Sequence, residues 1–152
     1  MTEYIVVERK LKIDSSTAQI QDLITDFHKW VDWSPWEQID PNLQRTYSGP
    51  DSGVGTSYTW SGNRKAGAGN MTITSIEPNA IKLDLTFTKP FKSASKTNFD
   101  FQPDGSSTTV VWQVHTPKTF MLKIMSVFMK LNKTVGADLE KGLAQLKAAV
   151  EK

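Results

Sequence analysis

Apolar residues recur along this chain with two distinct periods. From Tyr4 to Ile13 they alternate: Ile5, Val7, Leu11 and Ile13 share one face, with Arg9 among them. That predicts a strand carrying a charge on its apolar side. Asp14-Ser15-Ser16 is a helix start signal, and Ala18, Ile20, Leu23, Ile24 and Phe27 give a short helix after it. Alternation returns in Leu43, Arg45 and Tyr47, then in Thr56, Tyr58 and Trp60, and the stretch from Ala66 leads to Met71, Ile73 and Ile76. It continues through Ile81, Leu83, Leu85 and Phe87, through Thr97, Phe99 and Phe101, and through Val110, Trp112 and Val114. Asp40-Pro41-Asn42, the glycine-rich stretch from Gly49 to Gly55, Glu77-Pro78-Asn79 and Pro103-Asp104-Gly105 punctuate these runs as turns. One strand followed by about six more with turns this short forms an antiparallel sheet.

The second period belongs to the last stretch, which Pro117 opens. Val135, Leu139, Leu143, Leu146 and Val150 recur at steps of three and four, the spacing of one helical face. Before them, Phe120 to Leu131 is apolar nearly all round, with only Lys123, Ser126 and Lys130 as a polar edge. A helix of that kind must be covered on several sides. A continuous helix from Thr119 to Val150 would be roughly 48 Å long, with Gly136 as the expected kink. The expected architecture is α+β: a curved antiparallel sheet wrapped around one long C-terminal helix, as a single domain over residues 1–152.

Composition narrows the function classes. The chain has 152 residues, is 38% hydrophobic and carries a net charge of +2, which makes no case for nucleic acid as a partner. The absence of cysteine excludes disulfides, thiol chemistry and Cys-ligated zinc. Met1-Thr2-Glu3-Tyr4 leads directly into a strand pattern, so no secretory leader is expected. No apolar run reaches the roughly 20 residues of a membrane span, and a cytoplasmic location is the expectation.

The order of several short motifs adds a resemblance. Trp33-Ser34-Pro35-Trp36, Tyr47-Ser48-Gly49-Pro50, Gly53-Val54-Gly55, Trp60-Ser61-Gly62-Asn63, the run from Gly69 to Thr74, Thr109-Val110-Val111-Trp112 and the run from Gly142 to Lys147 follow one another along nearly the whole chain. In this order they resemble the polyketide cyclase/dehydrase branch of the START-like superfamily, also called SRPBCC or Bet v 1-like. The resemblance implies the helix-grip fold, a curved seven-stranded antiparallel sheet around the C-terminal helix with an internal cavity. It implies hydrophobic small-molecule ligands, with enzymes as a minority. None of the shared motifs is a catalytic signature.

Residues on inward registers are the ligand-binding candidates: Tyr58, Trp60, Met71, Phe87, Phe99 and Trp112 from the strands, and Met121, Met125 and Phe128 from the helix. Trp33 and Trp36 of the tryptophan cluster join them as a wall at the cavity mouth. An aromatic-lined pocket is the usual small-molecule site, and methionines spaced i, i+4 suit ligands of variable shape. The same residues could equally fill a solid core. Arg9 and Arg45 sit on apolar parity, and Glu77, on the parity of Met71 and Ile73, could serve either as acceptor. Such an arginine would bind a ligand carboxylate or enolate, or else form a structural ion pair. His115 shares the face of Gln113, opposite Trp112, and His28 reads as a surface residue between helices. Two histidines far apart give no metal site, no serine triad has its context, and the glycines form no phosphate loop. Neither cofactor nor metal is expected.

Three readings of function follow. In the first, the protein binds or carries a hydrophobic small molecule, lipid-like or aromatic polyketide-like, as a monomer or dimer. In the second it is a cyclase or dehydratase whose cavity folds the substrate while Arg or Glu stabilises an enolate. In the third it binds a partner through the apolar face of Phe120 to Leu131. The scarcity of titratable groups on inward registers favours the first, since proton transfer needs a positioned acid or base.

Overall fold

Seven strands carry the alternation: β1 (Tyr4–Ile13), β2 (Gln44–Ser48), β3 (Ser57–Ser61), β4 (Ala68–Glu77), β5 (Ala80–Lys89), β6 (Ser93–Asp104) and β7 (Ser107–Pro117). The structure, a computed structural model, describes residues 4–34, 42–63, 67–89, 92–117 and 125–151. The strands form one antiparallel sheet in the order β1-β7-β6-β5-β4-β3-β2. Strands β2 to β7 are thus an antiparallel meander, and β1 crosses to pair with β7. The crossing is made by α1 (Thr17–Ile24) and a 3₁₀ helix (Phe27–Asp32), and the C-terminal helix α2 (Met125–Val150) packs chiefly against β1.

Local chemistry accounts for these boundaries. Ser16 is extended and its hydroxyl accepts from the Gln19 amide, capping α1 as the sequence signal predicts. Asp26 does the same for the 3₁₀ helix, accepting from the His28 amide at 2.9 Å. Ile20 and Ile24 of α1 and Leu139, Leu143 and Leu146 of α2 are buried, so both helices turn their apolar stripe into the core. Pro117 ends β7 rather than opening the helix.

α2 runs on through Gly136 as one helix. The glycine there serves a close approach. A Cβ there would run into Arg9 Nη2 and lie 2.8 Å from Arg9 Cζ. The guanidinium of β1 therefore passes over the helix where no side chain stands, and a glycine is the residue that permits it.

Register aligns the inward faces into rows. Ile76, Ile81, Phe99, Trp112 and Arg9 lie level across five strands, and Tyr47, Tyr58, Met71 and Leu85 across four. Two register shifts interrupt the pattern on β4, one between Ala68 and Gly69 and one, a bulge, between Ile73 and Ser75. The extra residue at this bulge reverses parity beyond it. Ile76 accordingly packs on the core, and Glu77 is exposed.

Candidate functional site

The inner face of the sheet has two ends of different character. At the first, Trp30, Trp33, Phe99 and Trp112 are at most 1% exposed. Their rings touch in succession: Trp30 to Trp33 at 4.5 Å between centroids, Trp33 to Trp112 at 5.6 Å, and Trp112 stacked on Phe99 at 4.8 Å. A buried indole needs an acceptor for its N–H, and each finds one. Trp30 Nε1 donates to the Ile24 carbonyl at 2.8 Å and Trp33 Nε1 to the Leu23 carbonyl at 2.9 Å, the end of α1 in both cases. Trp112 Nε1 donates to Thr97 Oγ1 at 2.8 Å, and that buried hydroxyl in turn donates to the Gln113 carbonyl. This end is closed apolar packing with its polar atoms satisfied.

The other end lies on β2 to β5. Here a row of rings runs from the 3₁₀ helix across the sheet. His28 stacks on Tyr47 with centroids 4.0 Å apart and planes at 19°, and Tyr47 meets Tyr58 at 5.4 Å. Tyr58 stacks on Trp60 at 6.2 Å, and Trp60 meets Phe87 edge to face at 5.7 Å. Tyr58 is buried, but Tyr47, Trp60 and Phe87 remain partly exposed although their registers point inward. Beneath Trp60 lies Gly69, its partner on β4. A Cβ there would collide with the Thr86 carbonyl oxygen and come 2.5 Å from Trp60 Cη2, so the indole packs where Gly69 has no side chain. Phe27 joins the two ends, touching Trp30 at 5.3 Å and Tyr58 at 5.7 Å.

The ligand-binding candidates therefore divide. Trp33, Phe99 and Trp112 sit in the closed cluster, and Tyr58 and Met71 are buried between the ends. Trp60 and Phe87 belong to the open row. Trp36 and Met121 lie outside the described residues, as do the side chains of Met125 and Phe128.

The polar candidates are not brought together. Arg9 pairs with Glu140 of α2, Nε to Oε1 3.2 Å, and its Nη1 donates to the Glu8 carbonyl. Glu77, carried to the outer face by the bulge, lies 3.8 Å from Lys82 and serves as acceptor for neither arginine. Arg45, the β2 neighbour of Trp60, is exposed. Of the histidines, His115 lies on the outer face with Nε2 3.0 Å from Asn98 Oδ1. His28 is exposed, as expected, but it lies within the 3₁₀ helix rather than between helices, and its ring is engaged. Its Nδ1 is 2.9 Å from Asp26 Oδ1 and its ring begins the aromatic row. Sequence reasoning missed this pair because no period links Asp26, His28 and Tyr47. The one available signal was an aspartate placed to cap a short helix. Among the described residues no group of three His, Asp or Glu side chains is placed to hold a metal ion, and no helix is long and apolar enough to cross a membrane.

Protein MLL2253 from Mesorhizobium loti superposes with a TM-score of 0.70 at 11% identity, over 97% of each chain. Protein CV1439 from Chromobacterium violaceum does so with a TM-score of 0.67 at 12% identity, again over 97% of each. DynU16, a protein of the dynemicin biosynthetic locus, gives 0.64 at 13% identity, over 97% of this chain and 47% of that one. At these identities the likeness establishes the fold, the helix grip of a curved antiparallel sheet on a C-terminal helix. No curated protein matches the chain in sequence. The model of one family, described as polyketide cyclase / dehydrase and lipid transport, matches residues 4–151. With sheet order and helix both in agreement, the chain belongs to the polyketide cyclase / dehydrase and lipid transport family.

Proposed function

We propose that the protein binds a hydrophobic small molecule against the open end of the inner face, between the sheet and the C-terminal helix. The observation that carries this reading is the partial exposure of Tyr47, Trp60 and Phe87 on inward registers, beside a closed end where equivalent rings are wholly covered. Apolar rings left uncovered on a concave face gain most from a ligand that removes them from water. The family description, which includes lipid transport, is consistent with it.

Binding is favoured over turnover by the polar inventory. Arg9 and Arg45 are poor proton shuttles because a guanidinium stays charged, and Glu77 stands on the outer face. Apolar contact and shape contribute affinity in the ground state, which alone accelerates no chemical step. The third reading, a partner on the face of Phe120 to Leu131, falls on side chains outside the described residues.

Native mass spectrometry of protein purified from its own host tests the reading directly, with a co-purifying apolar molecule expected. In solution, a panel of fatty acids, sterols and polycyclic aromatics should include ligands with dissociation constants on the order of micromolar that quench tryptophan fluorescence. Trp60→Ala should abolish most of that quenching. Absence of any quenching ligand, together with no co-purifying molecule, would overturn the reading.

A further inference from the structure

The hydrogen bonds of the sheet decide which backbone groups its edge strand β1 leaves over. The Phe101 amide donates to the Asn79 carbonyl, just before β5, at 2.9 Å. Peptide groups alternate sides along a strand, so odd-numbered residues of β6 turn theirs toward β5 and even-numbered ones toward β7. Asn98 faces Gln113 in an unshifted register. Gln113 therefore turns toward β6, and Trp112 toward β1. Arg9, opposite Trp112, spends its own amide and carbonyl on β7, as do Val7 and Leu11. The amides and carbonyls of Val6, Glu8, Lys10 and Lys12 point the other way, off the end of the sheet. The side chains of these residues are exposed. Side chains of the same molecule already reach this free edge. Arg9 Nη1 donates to the Glu8 carbonyl at 2.7 Å, while its Nε pairs with Glu140 Oε1 of α2 at 3.2 Å. Just past the strand, the Asp14 amide donates to Glu151 Oε2 at 3.2 Å. Among the described residues nothing else is bonded to the edge-facing groups of Val6, Glu8, Lys10 and Lys12.

We propose that Arg9 is the guard of this edge, and that the partner it holds off is β1 of a second copy of the chain. A row of unspent amides and carbonyls is a template for another strand. An antiparallel copy related by a two-fold axis at Arg9 sets Glu8 opposite Lys10 and Val6 opposite Lys12, each pair exchanging backbone hydrogen bonds. Unlike charges directly opposite each other stabilise such a pairing, and like charges oppose it. An axis at Glu8 or at Lys10 puts like charges face to face, so the register centred on Arg9 is the matched one. Arg9 blocks that register in two ways. Its Nη1 occupies the Glu8 carbonyl that the Lys10 amide of the second copy requires. Its charge would also meet the second copy's Arg9 across the axis. The pair with Glu140 holds the guanidinium at this post, and a charge-assisted bond to a carbonyl is stronger than the neutral amide bond that would replace it.

Analytical ultracentrifugation of the whole chain tests this. Arg9→Val removes the plug and the charge and supplies a good strand former. Wild type should sediment as one chain at every concentration, whereas Arg9→Val should move from one chain's mass toward twice that mass as concentration is raised. Lys10→Pro takes away an edge-facing amide and no bond to β7, a place where proline is tolerated. Arg9→Val combined with Lys10→Pro should therefore return to one chain's mass. Amide exchange by NMR reads the same edge directly. Val6, Glu8, Lys10 and Lys12 should exchange rapidly in wild type and gain several-fold protection in concentrated Arg9→Val, with Val7 and Leu11 slow in both. Thermal melts verify that the variants fold, and Arg9→Thr takes the place of Arg9→Val if that variant does not. One chain's mass for the Arg9 variant at all concentrations, association that survives Lys10→Pro, or wild type associating as readily as the variant each overturns the proposal. Slow exchange at Glu8 and Lys10 in wild type overturns the strand orientation on which it stands, whatever the variants do.

Discussion

Phe99 and Trp112 are wholly buried, whereas Trp60 and Phe87 on the same face of the same sheet are partly exposed. The residue types and the inward parity are alike at both ends. What differs is the cover. Over Phe99 and Trp112 lie Trp30 and Trp33, supplied by the connection between β1 and β2, and that connection gives the indoles backbone acceptors at the end of α1. Over Tyr47, on the short edge strand β2, the described part of that connection places the small, half-exposed ring of His28. Parity decides which face a side chain takes. The coverage of that face is decided by chain segments far away in sequence.

The comparison can be broken most sharply by truncating rings at the two ends. Trp112→Ala and Phe99→Ala should each destabilise by about 3–5 kcal/mol, the range for large aromatics removed from close packing. Leu139→Ala on α2 should cost about 2–5 kcal/mol for the same reason. Phe87→Ala at the open end should cost about half as much as Trp112→Ala or less, because fewer contacts are lost around a ring already meeting solvent. Equal losses in urea titrations would show that the two ends are packed alike.

Two glycines sharpen it further. Gly69→Ala puts a methyl group against the Thr86 carbonyl and the Trp60 ring, neither of which can easily yield. A loss of about 1–3 kcal/mol is expected, as for overpacking elsewhere, with a change in tryptophan emission as Trp60 is lifted. Gly136→Ala meets the far end of a flexible arginine instead. Alanine gains up to about 1 kcal/mol over glycine in a helix interior, which offsets the displacement of Arg9, so a net change within about 1 kcal/mol is expected in the same titration. A large loss at Gly136 would show that Arg9 is held far more firmly than its exposure suggests.

The smallest effect is expected at the ion pair itself. Arg9 and Glu140 have side chains 38% and 66% exposed. Pairs of this kind contribute about 0–1 kcal/mol and weaken with salt. Glu140→Gln should therefore shift the urea midpoint only slightly, and less still in high salt. A loss that persists in high salt would point to a buried, structural role for the pair.

Much of this was determined by the sequence alone. Strict alternation in Ile81, Leu83, Leu85 and Phe87 names a strand and its buried face without outside help, because a side chain's side of a sheet depends only on its neighbours along the chain. The same holds for the caps at Ser16, the turn at Gly105 and the face of Leu139, Leu143 and Leu146. The order of motifs then carried the family. Tertiary structure alone decided the rest. A bulge after Ile73 moved Glu77 to the outer face, and Arg9 found its partner at Glu140, 131 positions away. It also decided which aromatic rings are sealed and which stay open, and it set the Asp26–His28 pair upon Tyr47. These outcomes depend on contacts between segments remote in sequence. Local periodicity holds no information about them, since it records the face a residue takes and not what comes to lie against it.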